Sequence, residues 1–271
     1  MAQSGRRTFS EISLVNSSVG DPVLFVDYPG KDDALLFDCG DLGNLSRKKI
    51  ADLEAVFLTH HHLDHFCDFD RVIRMNLDGD KSLHIFGPAH TIDRVYRRIK
   101  SYEIQHFPMQ KVVYHVHELL PDKMRVATLD CAAKFPEPEV KEKSWKSSVI
   151  YRNDNLRIEA ALTDHTVPGV AYSLVEKSGY HPDSQKLAAG LLKPGRWVGQ
   201  ALNLLREDAD PQTLLNIEDG EHTLGSLADH YFSKSRGSRV TFIADTAWSE
   251  ESKPGLLKLA NKATHLYCDC Y

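Results

Sequence analysis

The chain reads as a layered α/β protein, on three observations. Short apolar runs alternate with segments of helical spacing from residue 9 to residue 102, the pattern of strands and helices laid down in layers. With 271 residues, 42% hydrophobic and 26% charged, the chain can bury a sizeable core and has too little charge for global disorder. The unusual polar residues follow apolar runs, as when a rigid scaffold presents a site at its strand ends.

Residues 9–29 have β character: Phe9, Ile12, Leu14 and Val23 to Val26 sit in runs broken by Gly20-Asp21 and Pro29-Gly30. Ala34 to Phe37 is a strand running into Asp38-Cys39-Gly40, where Asp38 is placed to fix a neighbouring loop. Residues 43–54 read as a short helix and 55–58 as a buried strand. Residues 66–78 have roughly helical spacing, 83–86 form a strand stopped by Gly87-Pro88, and 91–102 form an amphipathic helix with a solvated basic face. Residues 111–130 return to β text. His115-x-His117 there has the same-face spacing of a ligand pair, and an exposed strand face is the plainer reading. Residues 134–146, charged and Pro-containing, read as a surface loop.

Strands follow at 149–151 and 156–162, the second leading into Asp164-His165. Residues 179–200 are rich in Gly, Pro and Lys, and 202–206 look like a short helix. A strand from Arg239 delivers Asp245, 254–262 make a last helix, and 264–271 a final strand, in which Cys268 and Cys270 share one face of a buried strand. The whole reads as one domain, 1–271, with an inserted arm around 177–235.

A formal net charge of −5 gives no support to binding long nucleic acids by charge alone, although a local basic patch remains open. Five cysteines, an odd number without a CxxC pair, suggest neither a disulfide framework nor a four-cysteine zinc site. No apolar stretch follows Arg6-Arg7 and no run of about 18 apolar residues occurs, so the expectation is a reduced, cytoplasmic protein without a membrane span.

The chemistry gathers in His60-His61-His62-Leu63-Asp64-His65. Five buried polar side chains at one strand end need a strong partner, and neutral imidazole with carboxylate is a metal-ligand set. On an extended segment His60, His62 and Asp64 share one side, while His65, in a turn opening a helix, reaches a second position. That supports two metals sharing a carboxylate, a pair suited to phosphodiester hydrolysis. His165 and Asp245, at two further strand ends, are the remaining candidates.

The HxHxDH spacing of His60, His62, Asp64 and His65 resembles the signature of the metallo-β-lactamase superfamily. Leu36-Phe-Asp-Cys-Gly, Phe57-Leu-Thr-His, Ile85-Phe-Gly-Pro, Asp164-His165 with Ala171-Tyr172, and Phe242-Ile-Ala-Asp245-Thr246 stand in the order seen in ribonuclease Z and its relatives. The resemblance covers about residues 30 to 271. It implies an αββα sandwich and a two-metal hydrolase, with zinc as the first choice of ion and manganese, iron or cobalt as others. His60, His62 and His165 would hold one ion and Asp64 and His65 the other. Asp245 would bridge, Asp64 would also orient the attacking water, and His61 would be a neighbour. The substrate implied is a phosphodiester, either tRNA or a small cyclic nucleotide or dinucleotide, and the assembly a homodimer.

Two departures stand out. The family takes one more histidine after a stretch resembling Leu266 to Tyr271, which would lie beyond Tyr271; His265 and His230 are the substitutes within the sequence. Residues 187–206 echo the Gly/Pro-rich arm with which ribonuclease Z grips tRNA, but with the order Pro194-Gly195. Other hydrolases of the same fold, acting on a thioester, lactone or β-lactam, and a non-catalytic metal-binding protein are the competing readings.

Overall fold

The computed structural model describes residues 11–27, 34–105, 108–145, 147–153, 155–217, 220–235 and 237–269; Phe9, Pro29, Gly30, Cys270 and Tyr271 lie outside these. Thr8–Val175 and Arg239–Tyr271 belong to one compact unit, Glu176–Ser238 to another.

In chain order the elements are β1 (Glu11–Leu14), β2 (Leu24–Asp27), β3 (Ala34–Phe37), α1 (Arg47–Ala51), β4 (Leu53–Phe57), α2 (Leu63–Phe66), α3 (Phe69–Asn76), β5 (Ser82–Gly87), α4 (Thr91–Lys100), β6 (Val113–Leu119), β7 (Lys123–Asp130) and β8 (Val140–Ser144). Then come β9 (Val149–Arg152), β10 (Leu156–Thr163), β11 (Gly169–Glu176), β12 (Gly179–Pro182), α5 (Ser184–Ala189), α6 (Arg196–Arg206), β13 (Leu214–Ile217), β14 (Gly220–Thr223), α7 (Leu224–Tyr231) and β15 (Phe232–Ser235). The last three are β16 (Arg239–Ile243), α8 (Lys253–Ala260) and β17 (His265–Cys268).

The larger unit is a two-sheet sandwich. One sheet runs β1 to β8 in sequence order; the other has the order β17-β16-β11-β10-β9. In the first sheet β3 to β6 are parallel and the flanking pairs antiparallel. Parallel strands covered on both faces read as unbroken apolar runs, and Ala34-Leu-Leu-Phe37 is buried throughout. Between the sheets Phe37, Phe57 and Phe86 meet Ile158, Tyr172 and Phe242. Phe57 is the hub, 5.0 Å from Phe37, 5.1 Å from Phe86 and 5.5 Å from Tyr172, centroid to centroid.

On the outer face of the first sheet Ile50, Phe69, Val72, Ile92 and Val95 pack on Phe25, Leu36, Val56 and Ile85. On the outer face of the second, Leu256 and Leu259 of α8 pack on Ala171 and Ile243. Helices outside two stacked sheets make the αββα sandwich that the sequence led us to expect. Among the described residues no helix is long and apolar enough to cross a membrane.

The fold departs from the sequence reading in several places. The helix expected over 43–54 is only Arg47–Ala51, because the Ser46 side chain caps it by accepting from the Lys49 N–H and the chain enters β4 at Leu53. Within the expected loop 134–146, Val140–Ser144 pairs antiparallel with β7. It is an edge strand, and lysine and glutamate on an exposed edge block further pairing. The final strand β17 is such an edge too, and Cys268 is exposed rather than buried. His117 is buried, not on an exposed face.

Glu176–Ser238 has a core of its own, in which Trp197 stands 5.2 Å from Tyr231 and packs with Leu215, Leu224 and Phe232. The helix expected at 202–206 begins at Arg196, since burying Trp197 requires the preceding turn.

Candidate metal centre

The candidate ligands come from three strand ends: His60, His62, Asp64 and His65 follow β4, His165 follows β10 and Asp245 follows β16. β4 ends at Phe57, and the next residues are tied to both sheets: Leu58 N–H donates to Phe86 O at 2.8 Å, Tyr172 Oη donates to Leu58 O at 2.7 Å, and Val170 N–H donates to Thr59 O at 2.8 Å. The chain is thus fixed on either side of Thr59 before His60 begins. His62 is the N-cap of the short helix α2, which carries Asp64 and His65.

The helix is held from the β3 side. Cys39 N–H donates to His65 O at 2.8 Å, and Asp68 N–H to Cys39 O at 3.0 Å. A Cβ on Gly40 would stand 2.4 Å from Asp64 O, so only glycine lets the two segments approach this closely. Asp38 and Asp245 both adopt left-handed backbone, with φ of 59° and 44°. This conformation costs a non-glycine residue about 1 kcal/mol or more, and here both instances turn a carboxylate at a strand end toward the site.

Two donor groups result. His60, His62, His165 and Asp245 each offer a ligand atom within 4.8 Å of the others, and so do Asp64, His65 and Asp245. Asp245 belongs to both. His62 Nδ1 is 3.3 Å from His165 Nε2, and Asp245 Oδ2 is 3.1 Å from His65 Nε2 and 3.4 Å from His60 Nε2. The loop bearing His165 is tied to the one after Asp245: Ala247 N–H donates to Asp164 O at 2.7 Å, and Thr246 Oγ1 to the same oxygen at 3.2 Å.

The hydrogen bonds around Asp38 fix which ring nitrogens are free. Thr59 N–H and Oγ1 donate to the buried Asp38 carboxylate at 2.7 and 2.6 Å. With its proton on Asp38, Thr59 Oγ1 can only accept from His60 Nδ1, 3.1 Å away, which leaves His60 Nε2 with a bare lone pair. That atom is buried and makes no hydrogen bond. A buried ring nitrogen aimed at carboxylates without a proton partner fits a metal ligand.

His65 Nδ1 likewise donates to Asp38 Oδ2 at 2.8 Å and turns Nε2 toward Asp64 and Asp245. Burial pushes His60 down to about 2, reinforced by the neighbouring imidazoles. Burial also opposes charge on His65, but the bond to Asp38 and the surrounding carboxylates outweigh it and hold His65 at about 9. The Asp38 carboxyl itself is pushed up by burial, against the pull of its donors.

The remaining candidates sit elsewhere. His61 Nε2 is 3.1 Å from Thr91 Oγ1, whose proton goes to Pro88 O, so His61 faces α4. His265 lies opposite Val240 in the parallel β16–β17 pair, five residues before Asp245 (245 − 240), roughly 16 Å back along the sheet. It is no substitute for a final histidine. His230 is exposed and bonds Ser226 O through Nδ1. Sequence reasoning missed Asp269. It follows β17, its Oδ2 accepts from the Asp245 N–H at 3.3 Å, and burial with the charge of Asp245 raises its carboxyl. The only signal for it is its register: Cys268 pairs with Ile243.

Residues 35–156 match the β-lactamase superfamily domain. The chain is 24% identical over 238 residues to ribonuclease Z of Deinococcus radiodurans, covering 87% of this chain and 70% of that protein. It is 28% identical over 234 residues to ribonuclease Z of Thermococcus gammatolerans, covering 83% and 60%. A third relative, human zinc phosphodiesterase ELAC protein 1, is 24% identical over 194 residues, covering 62% and 52%. The chain therefore spans from about half (52%) to 70% of the length of these proteins. By the match over 35–156 and by these relatives, the chain is similar to the metallo-β-lactamase superfamily and, within it, to proteins of the ribonuclease Z-like branch.

Proposed function

We propose that the chain is a metal-dependent phosphodiesterase of the ribonuclease Z kind. His60, His62 and His165 would hold one zinc ion and Asp64 and His65 a second, with Asp245 available to both. The observation that carries this reading is the membership of Asp245 in both donor groups. A carboxylate common to both groups would let two ions act on one phosphodiester. When bound, such a pair lowers the pKa of a water and stabilises charge on the phosphoryl and leaving oxygens.

The chain's own residues do the rest. Asp64, whose side chain is 53% exposed, stands where the site meets solvent and takes the proton of the attacking water. Asp38 holds the His65 ring through Nδ1, and Thr59 holds His60 in the tautomer with Nε2 free. Asp269 fixes the backbone of Asp245.

The relatives named ribonuclease Z and zinc phosphodiesterase support a phosphodiester substrate. An RNA of tRNA size and a small cyclic or dinucleotide both fit the chemistry. For the RNA, Lys193 and Arg196 are exposed just before and at the start of α6; against it stands the net charge of −5. A cytoplasmic homodimer is the setting we infer.

Turnover of a chromogenic phosphodiester, measured beside a thioester, a lactone and a β-lactam, tests the reaction. The phosphodiester alone is cleaved if the reading holds, and turnover of another class alone overturns it. Binding to tRNA across a salt series then separates the two substrate sizes: affinity falls steeply with salt for a polyanion-gripping enzyme, and tRNA does not bind to a small-substrate one.

A further inference from the structure

Two large apolar side chains face solvent beside the candidate centre. Leu63 stands between His62 and Asp64 in the chain and is 78% exposed; Trp248 follows Asp245 by three residues (248 − 245) and is 61% exposed. Three residues span at most roughly 11 Å of chain, so the indole stays close to the carboxylate common to both donor groups. Single exposed apolar residues are ordinary on a protein surface, whereas large ones gathered beside a cluster of polar ligands are what a binding rim presents.

Trp248 sits on a backbone that is fixed at both ends. Ala247 forms an antiparallel bridge with Asp164, and Thr246 Oγ1 donates to Asp164 O at 3.2 Å, which ties this segment to the loop bearing His165. On the other side the buried Ser252 Oγ donates to Ala247 O at 2.8 Å, and Lys253 N–H donates to Ser249 O at 3.0 Å, which ties it to the start of α8. The indole is therefore presented to solvent by ordered structure, at the edge of the centre.

A cation accompanies it. Lys253 Nζ lies over the indole, 5.9 Å from the ring centroid. Its ion partner is Glu250 at 3.6 Å, a carboxylate 93% exposed. A surface pair of this kind is weak, so the ammonium can meet a second anion. An aromatic ring with an ammonium beside it complements a nucleotide: the base stacks on the ring and a phosphate meets the cation.

We propose, resting on the phosphodiesterase reading, that Trp248 stacks on a nucleobase next to the phosphodiester held at the centre, with Lys253 beside a flanking phosphate. A base within a duplex has both faces covered by its neighbours, so the base that stacks here is unpaired. Trp248 thereby makes a nucleobase part of what the centre recognises, beyond the diester itself.

The test reads the preference for a base as binding, so that it does not require turnover. The zinc-loaded full chain is titrated by calorimetry with adenosine 5′-monophosphate and with ribose 5-phosphate, which carries the phosphate without the base. The unaltered protein is expected to bind the nucleotide about ten- to a hundredfold more tightly, the usual gain from stacking a base on an aromatic ring. Trp248→Ala is expected to lose that preference and Trp248→Phe to keep most of it. Because the ring is mostly in solvent, its removal leaves the core intact, and circular dichroism confirms folding. No preference for the nucleotide in the unaltered protein, or a preference that Trp248→Ala retains, overturns the proposal. A preference that depends on Trp248 in a chain that cleaves no phosphodiester would remove the phosphodiesterase reading and leave the base site standing.

Discussion

His65 Nδ1 donates to Asp38 Oδ2 across 2.8 Å, and the two side chains are 1% and 0% exposed. One buried carboxylate thereby orients a candidate ligand and, through Thr59, a second one. Asn at position 38 would keep the size but set an amide N–H2 against groups that must donate. Asp38→Asn is expected to weaken zinc binding or turnover by about ten- to a hundredfold, the usual cost of losing such a partner. Zinc affinity and turnover with wild-type values would mean that Asp38 does not act through the rings.

The raised His65 value gives a pH dependence with a definite sign. In the folded, metal-free chain His65 is held at about 9, above its ordinary 6.5. Its charged form therefore stabilises the fold fully below about 6.5, and that contribution is lost as pH rises through about 9. Melting temperatures of the chelated protein should fall from pH 6 to pH 10, and fall less in Asp38→Asn. A metal at His65 Nε2 must displace this proton, so affinity for the second ion should rise about tenfold per pH unit below about 9. His60, at about 2, has no proton to give up at these pH values. Equal drops in both proteins, or a pH-independent affinity for the second ion, would contradict the assignment.

Gly40 supports the site by having no side chain. Because a Cβ there would stand 2.4 Å from Asp64 O and 2.7 Å from the Asp21 Cβ, Gly40→Ala must push the β3 turn away from α2. A loss of about 1–3 kcal/mol is expected from the overpacking, together with reduced turnover as Asp64 and His65 shift. Denaturant titration and turnover measure the two effects; an unaltered Gly40→Ala chain would show that the segments are free to separate.

Much of the candidate site was readable from local sequence because the fold presents its candidate ligands at strand ends. The segment His60 to His65 carries its spacing on its face, and Asp38, His165 and Asp245 each follow an apolar run. What escaped was long-range. Asp269 gains its role from the parallel pairing of β17 with β16. Val140–Ser144 has a loop's composition and becomes a strand only through the β7 edge it pairs with.

Asp245 joins the two donor groups, so its removal should break both. Zinc held at His60, His62, His165, Asp64 and His65 should fall from two ions to at most one in Asp245→Ala, with the chain still folded. Two ions retained there would mean that the carboxylate is not shared.

The central claim is that Asp64 takes the proton of a water attacking a phosphodiester. Steady-state turnover of a chromogenic phosphodiester by the zinc-loaded chain and by zinc-loaded Asp64→Ala tests it most directly. The account predicts turnover that a chelator abolishes and that Asp64→Ala lowers by about 10²–10⁴-fold, with the circular dichroism spectrum unchanged. An Asp64→Ala chain as active as the unaltered protein would contradict it.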